Sequence, residues 1–227
     1  MSDGSLESNI AEVRARMSAA AERVGRPPAA VRLVAVTKTF GVDVLEAALR
    51  AGLRDLGENR AQELKQKAAI MGDDPRWHFI GHLQSNKARH VVGATLIHSV
   101  DRFGVAEAIA RRAGSLGMVQ DVLIEVNVSG EVTKHGVEPA RVLALATEVG
   151  SLERVRLKGL MTMAPFSDDP ESSRPYFQDL RELGTGLTRL FPEATELSMG
   201  MTRDFEVAIE EGATIVRVGE AIFGPRR

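Results

Sequence analysis

The chain has 227 residues, 44% of them apolar, with 29 Lys and Arg against 31 Asp and Glu and a formal net charge of -2. That length carries a full hydrophobic core, and so even a charge balance excludes a protein that holds nucleic acid through a basic face. No run of about 18 uncharged apolar residues is present to cross a bilayer, and the absence of cysteine removes disulfides, thiolate nucleophiles and Cys-based metal sites together.

Leu6, Ile10, Val13, Met17, Ala20 and Val24 fall at helical spacing and predict an amphipathic helix from about Asp3 to Val24, stopped by Gly25-Arg26-Pro27-Pro28. No basic patch followed by an apolar run precedes it, so no secretory signal is expected and the chain reads as cytoplasmic. A strict alternation then begins. Strands are predicted at residues 31–37, 53–56, 77–80, 95–99, 121–128, 155–161, 196–199 and 214–218. Helices are predicted between them at 42–51, 58–71, 85–92, 102–113, 139–149, 171–190 and 203–211.

Eight short, nearly continuous apolar strands alternating with helices require a parallel sheet. The count of eight, and a length near the roughly 250 residues typical of the fold, favour a closed (β/α)8 TIM barrel with an additional N-terminal helix. A doubly wound sheet would prefer fewer strands and a glycine-rich first turn; here the first strand runs into Thr37-Lys38-Thr39-Phe40. No linker or shift of composition marks a second domain, so residues 1–227 are expected to form one. No apolar surface stripe stands out, which favours a monomer.

In a barrel, chemistry gathers where strands end. Those positions hold Lys38, Gly57-Glu58-Asn59, Gly81-His82, His98-Ser99, Asn127, Met161-Thr162, Ser198-Met199-Gly200 and Arg217-Val218-Gly219: a polar ring with one lysine in it. Only six of the 29 basic residues are lysines. Lys38 follows a buried strand, and a partly desolvated amine loses pKa and becomes a nucleophile toward an aldehyde. The competing readings are a lysine that snorkels to solvent or one that pairs with Glu58. Ser198-Met199-Gly200-Met201-Thr202 and Val218-Gly219-Glu220-Ala221-Ile222-Phe223-Gly224 occupy the two loops that usually cradle phosphate in this architecture, although serine and threonine also cap helices there. A lysine opposite two such loops suits a phosphorylated aldehyde, with pyridoxal 5'-phosphate the candidate.

The histidines are less telling. His78 and His82 straddle a strand and span about 13 Å, too far to share one ion, and His90, His98 and His135 have no ligand-like spacing with them. Ser129 to Gly136 reads as a polar loop whose Lys134 is either a surface charge or a group reaching over the mouth.

Val34-Ala35-Val36-Thr37-Lys38, Gly57-Glu58-Asn59-Arg60-Ala61-Gln62-Glu63, Trp77 to Lys87 (WHFIGHLQSNK), His98-Ser99-Val100-Asp101, Lys158-Gly159-Leu160-Met161, Leu197 to Thr202 and Val216 to Gly224 together resemble the pyridoxal phosphate homeostasis proteins. The resemblance runs from the first strand to the C-terminus. It implies a single barrel like the N-terminal domain of alanine racemase, a fold-type III pyridoxal phosphate protein, with a Schiff base on Lys38. It places the phosphate at Ser198, Met199, Thr202 and Gly219, the ring near Asn59, and Arg217 beside the pyridine nitrogen. Two positions depart from the family pattern: Leu56 stands for a frequent phenylalanine and Thr202 for serine.

The function so implied is to carry or buffer pyridoxal phosphate, pass it to apo-enzymes, and take part in vitamin B6 and amino-acid homeostasis. The alternatives are a weak amino-acid racemase, another fold-type III enzyme, or a cofactor-free Schiff-base lyase. Two-base racemisation needs an acid on each face of the substrate. The chain has no cysteine, and its single tyrosine, Tyr176, falls near a helix start, away from any strand end. No catalytic residue, metal, nucleic acid or membrane is therefore expected.

Overall fold

The computed structural model describes residues 5–131 and 134–225. The predicted helix start at Asp3, the N-terminal reading at residues 1–4 and the centre of the polar loop at 132–133 lie outside the described residues.

Eight parallel strands close into a barrel: β1 (Arg32–Val36), β2 (Asp55–Glu58), β3 (Arg76–Phe79), β4 (Leu96–Val100), β5 (Gln120–Glu125), β6 (Val155–Met161), β7 (Glu196–Ser198) and β8 (Ile215–Val218). Closure is direct, with Val34 of β1 in register with Arg217 of β8. The α-helices are α1 (Leu6–Arg23), α2 (Val42–Arg50), α3 (Ala61–Met71), α4 (Phe103–Ser115), α5 (Val142–Gly150), α6 (Arg174–Leu190), α7 (Phe205–Glu210) and α8 (Glu220–Phe223). None of the described helices is long and apolar enough to cross a membrane.

The core has two compartments because strand residues alternate in direction. Val34, Leu96, Leu123, Met161 and Ile215 pack together inside the barrel. A larger cluster, which includes Ala35, Ile97, Leu160 and Val216, joins the sheet to the helices. Helix α1 is the extra element. It buries Ile10, Val13, Met17, Ala20 and Ala21, and just beyond it Arg26 donates to the carbonyls of Ile209 (2.6 Å) and Ala213 (2.8 Å).

Two expectations shift. The helix predicted at 85–92 is a 3-10 turn at Ser85–His90, since its basic run offers only Ala88 to the core. β2 lies two residues later than predicted, because Asp55 and Glu58 are buried with partners that hydropathy cannot show. Past the end of β3, a Cβ on Gly81 would stand 2.0 Å from the Asn59 carbonyl, so only glycine lets the two chain segments pass.

Candidate cofactor site

Lys38 lies two residues beyond Val36 on the inward-facing row of β1. The residues on either side of it are clamped. The Thr37 hydroxyl donates to Glu58 Oε1 (2.7 Å), and Lys67 Nζ donates both to that oxygen (2.6 Å) and to the Thr37 carbonyl (3.0 Å). Burial pushes the Glu58 carboxyl up, and the hydrogen bonds from Lys67 and Thr37 oppose it. On the other side Thr39 adopts a positive φ of 73° and donates its N–H to Glu63 Oε2 at 3.2 Å. Lys38 is half-buried and lines a cavity of about 290 Å³ with Val36, Thr202, Arg203, Arg217 and Gly219. Glu58 pairs with Lys67.

Arg217, 4% exposed, faces this cavity from β8. Its guanidinium donates to Ser198 Oγ (2.6 Å) and to the Thr162 carbonyl (2.8 Å). Burial lowers its pKa to about 10, so it remains a cation at neutral pH. Ser198 Oγ also meets His98 Nδ1 at 2.9 Å, His98 Nε2 meets His78 Nδ1 at 2.9 Å, and His78 Nε2 meets Asp55 Oδ1 at 2.9 Å. Burial holds both imidazoles below their ordinary pKa.

Ser198 and Met199 therefore stand behind the cavity. The Ser198 hydroxyl is fully buried between His98 and Arg217, and the Met199 N–H donates to the Ile215 carbonyl at 3.1 Å. Thr202 and Gly219 line the cavity itself, together with Glu220 at the first turn of α8, where the N–H groups of Ile222 and Phe223 fold back onto the Gly219 carbonyl. Gly200 turns the chain between the two sets of residues at φ 90°, and a Cβ there would lie 2.5 Å from Ala208.

The polar atoms buried at strand ends without a hydrogen-bond partner include Asn59 Oδ1 and Glu125 Oε2. Such atoms are costly unless a ligand or water completes them. Burial raises the Glu125 carboxyl to about 7, with the charge of Asp101 adding to the rise. A folded-state pKa above the unfolded one makes Glu125 stabilising below its unfolded pKa, and that contribution is lost as pH rises toward 7. Stability should thus fall by an amount on the order of 3 kcal/mol between pH 5 and 8. Denaturant titrations of the wild type and Glu125→Gln across that range check this, and the variant is expected to show a flatter slope.

Spacing along the chain concealed two histidine pairs. His78 and His98 meet inside the barrel because β3 and β4 are neighbours, while the rings of His82 and His135 stack at 3.7 Å over the loops. With Asp101, the stacked pair forms a group of potential metal ligands. The planes are 13° from parallel, so the ring lone pairs do not converge on one ion. Lys134 pairs with Glu131 at 2.8 Å, and Lys87 lies exposed on the 3-10 turn. Phe166, 79% exposed, lines the cavity rim beneath the Arg203 guanidinium, and no sequence pattern pointed to it.

Among known proteins, the family described as Alanine racemase, N-terminal domain matches residues 7–227. The pyridoxal phosphate homeostasis protein of Aquifex aeolicus is 48% identical over 221 residues, which is 96% of this chain and 97% of the relative. That of Escherichia coli is 39% identical over 229 residues, 96% of this chain and 95% of the relative. PipY of Synechococcus elongatus, solved with PLP bound, superposes with a TM-score of 0.83 at 35% identity, covering 96% of this chain and all (100%) of PipY. An alanine racemase of Clostridium difficile shares the fold alone, with a TM-score of 0.74 at 16% identity over 97% of this chain and 56% of the racemase.

Proposed function

The chain belongs to the pyridoxal phosphate homeostasis protein family, and from that premise we propose that it binds pyridoxal 5'-phosphate at the barrel rim. There it carries or buffers the cofactor for apo-enzymes and takes part in vitamin B6 and amino-acid homeostasis, with residues 1–227 acting as one domain. The observation that carries this reading is the cavity shared by Lys38, Thr202, Arg217 and Gly219.

The residues present fit the group. Pyridoxal phosphate supplies an aldehyde that condenses with an amine, an aromatic ring and a phosphate anion. Lys38 is the lysine of the cavity, held at the rim by its clamped neighbours. Thr202 adds a hydroxyl, and Gly219 with the first turn of α8 adds N–H donors suited to an anion. Asn59, just past the end of β2, brings an amide whose NH2 can donate toward the ring side of the cofactor. Ser198 and Met199 support this wall from behind, and Ser198 aims Arg217.

Arg217 decides how far the site can act as an enzyme. A guanidinium only donates hydrogen bonds and surrenders no proton at neutral pH. Set beside a ring nitrogen, it leaves that atom unprotonated and weakens the electron sink on which carbanion chemistry depends. Tyr176, the one tyrosine, packs against the core from α6, away from the cavity. The chain therefore holds the cofactor without a second acid to exchange substrate protons.

Incubation of the loaded protein with alanine or serine in deuterium oxide tests this directly. The expected result is no α-proton exchange above the rate given by free cofactor. Exchange at enzyme-like rates of about 1 per second or more overturns the carrier reading in favour of a racemase.

A further inference from the structure

We propose that His78 and His98 are positioning residues, forming with Asp55 and Ser198 a one-way hydrogen-bonded relay through the barrel that fixes the Arg217 guanidinium at the cavity wall. The relay starts at the N-terminal ends of β2 and β3. There Asp55 pairs with Arg76 at 2.6 Å, and both line a hollow of about 330 Å³ at the end of the barrel opposite Lys38. It then passes His78, His98 and Ser198, each fully buried, and ends on Arg217.

The two ends dictate the direction of every bond between them. Arg217 can only donate, so Ser198 Oγ accepts from it. Asp55 is held ionised: burial raises its pKa, but the hydrogen bonds from His78 and Arg76 outweigh that and leave it below the usual value. It therefore accepts, and His78 carries its proton on Nε2. His78 Nδ1 is then an acceptor, so His98 donates from its own Nε2. His98 Nδ1 accepts in turn, and the Ser198 hydroxyl donates to it. Every bond points from Arg217 toward Asp55, each group is satisfied, and both imidazoles are neutral with the same tautomer. Bonds aligned this way reinforce one another in a low-dielectric interior.

The consequence for the site rests on the cofactor reading above. A guanidinium has several rotamers around its stem, and the direction it presents to a ligand depends on what holds its other nitrogens. Here Ser198 takes one Nη and the Thr162 carbonyl the other. Asp55, near the far end of the barrel, thereby biases a group at the near end through two histidines. A cluster that served packing alone would require neither a fixed tautomer nor any effect on bound cofactor.

The first test uses cofactor-free protein, so it stands whether or not the cofactor reading does. Nitrogen-15 NMR of labelled histidine is expected to show His78 and His98 both as Nε2–H tautomers that do not titrate between about pH 5 and 8. An Nδ1–H tautomer in either ring, or titration near 6.5, overturns the relay. In the same protein the Arg217 Nη–H signals are expected to be resolved individually and to collapse in Ser198→Ala; identical signals in both proteins also overturn it. In loaded protein, Ser198→Ala and Asp55→Asn are expected to move the pH midpoint of the visible band by about 0.5 to 1 unit. Unchanged midpoints in both variants contradict the coupling. Failure of the wild type to bind the cofactor instead sinks the functional reading, while the histidine and arginine signals still decide the relay.

Discussion

Lys38→Ala should stay colourless on addition of pyridoxal phosphate, whereas the wild type gains a visible band. Absorbance after gel filtration reads the difference. Lys38 is the lysine that lines the cavity with Thr202, Arg217 and Gly219. Lys67, the buried lysine that reaches the neighbouring Thr37, is 10% exposed at its side chain and already committed to Glu58 and the Thr37 carbonyl. Without the Lys38 amine, only the non-covalent contacts to phosphate and ring remain, and these exchange with solvent during the column run. A visible band of wild-type intensity in the variant would mean that another amine serves the site.

Lys67→Met is expected to cost about 3–5 kcal/mol of stability, because it strands the Glu58 carboxylate inside the fold. For a chain of this size the melting temperature should fall by roughly 10 °C or more. Glu58 is fully buried, and Lys67 and the Thr37 hydroxyl share its Oε1. Removing both charges together, in Glu58→Gln with Lys67→Met, should recover part of the loss, since the stranded charge is then gone. The same cluster holds the carbonyl of the residue before Lys38. The single variant should therefore also weaken cofactor retention, which titration of the visible band measures. A loss under about 1 kcal/mol would show that Glu58 takes up a proton or reaches water when Lys67 leaves.

The barrel was legible because its signals are local. Eight apolar strands and the alternation around them depend on neighbours in sequence, and Lys38 stood out as a lone lysine at the end of an apolar strand. The loops after β7 and β8 were legible as loops, since Gly200 and Gly219 stand where turns and close passages occur. What stayed hidden was made by closure. Asp55, His78, His98, Ser198 and Arg217 come from five different strands, and sheet order alone brings them into line. Ser198 illustrates the limit: the sequence offers its hydroxyl to a phosphate, and only the closed sheet shows that the same hydroxyl meets Arg217 and His98. Glu58 likewise read as a strand-end group until its buried partners, Thr37 and Lys67, were in view.

The most direct measurement is borohydride reduction of the protein incubated with pyridoxal phosphate, followed by intact mass and peptide mapping. One pyridoxyl group per chain, on the peptide that contains Lys38, is the expected result. A label on Lys67, Lys87 or Lys134 instead, or no label at all, contradicts the assignment of the cofactor to Lys38.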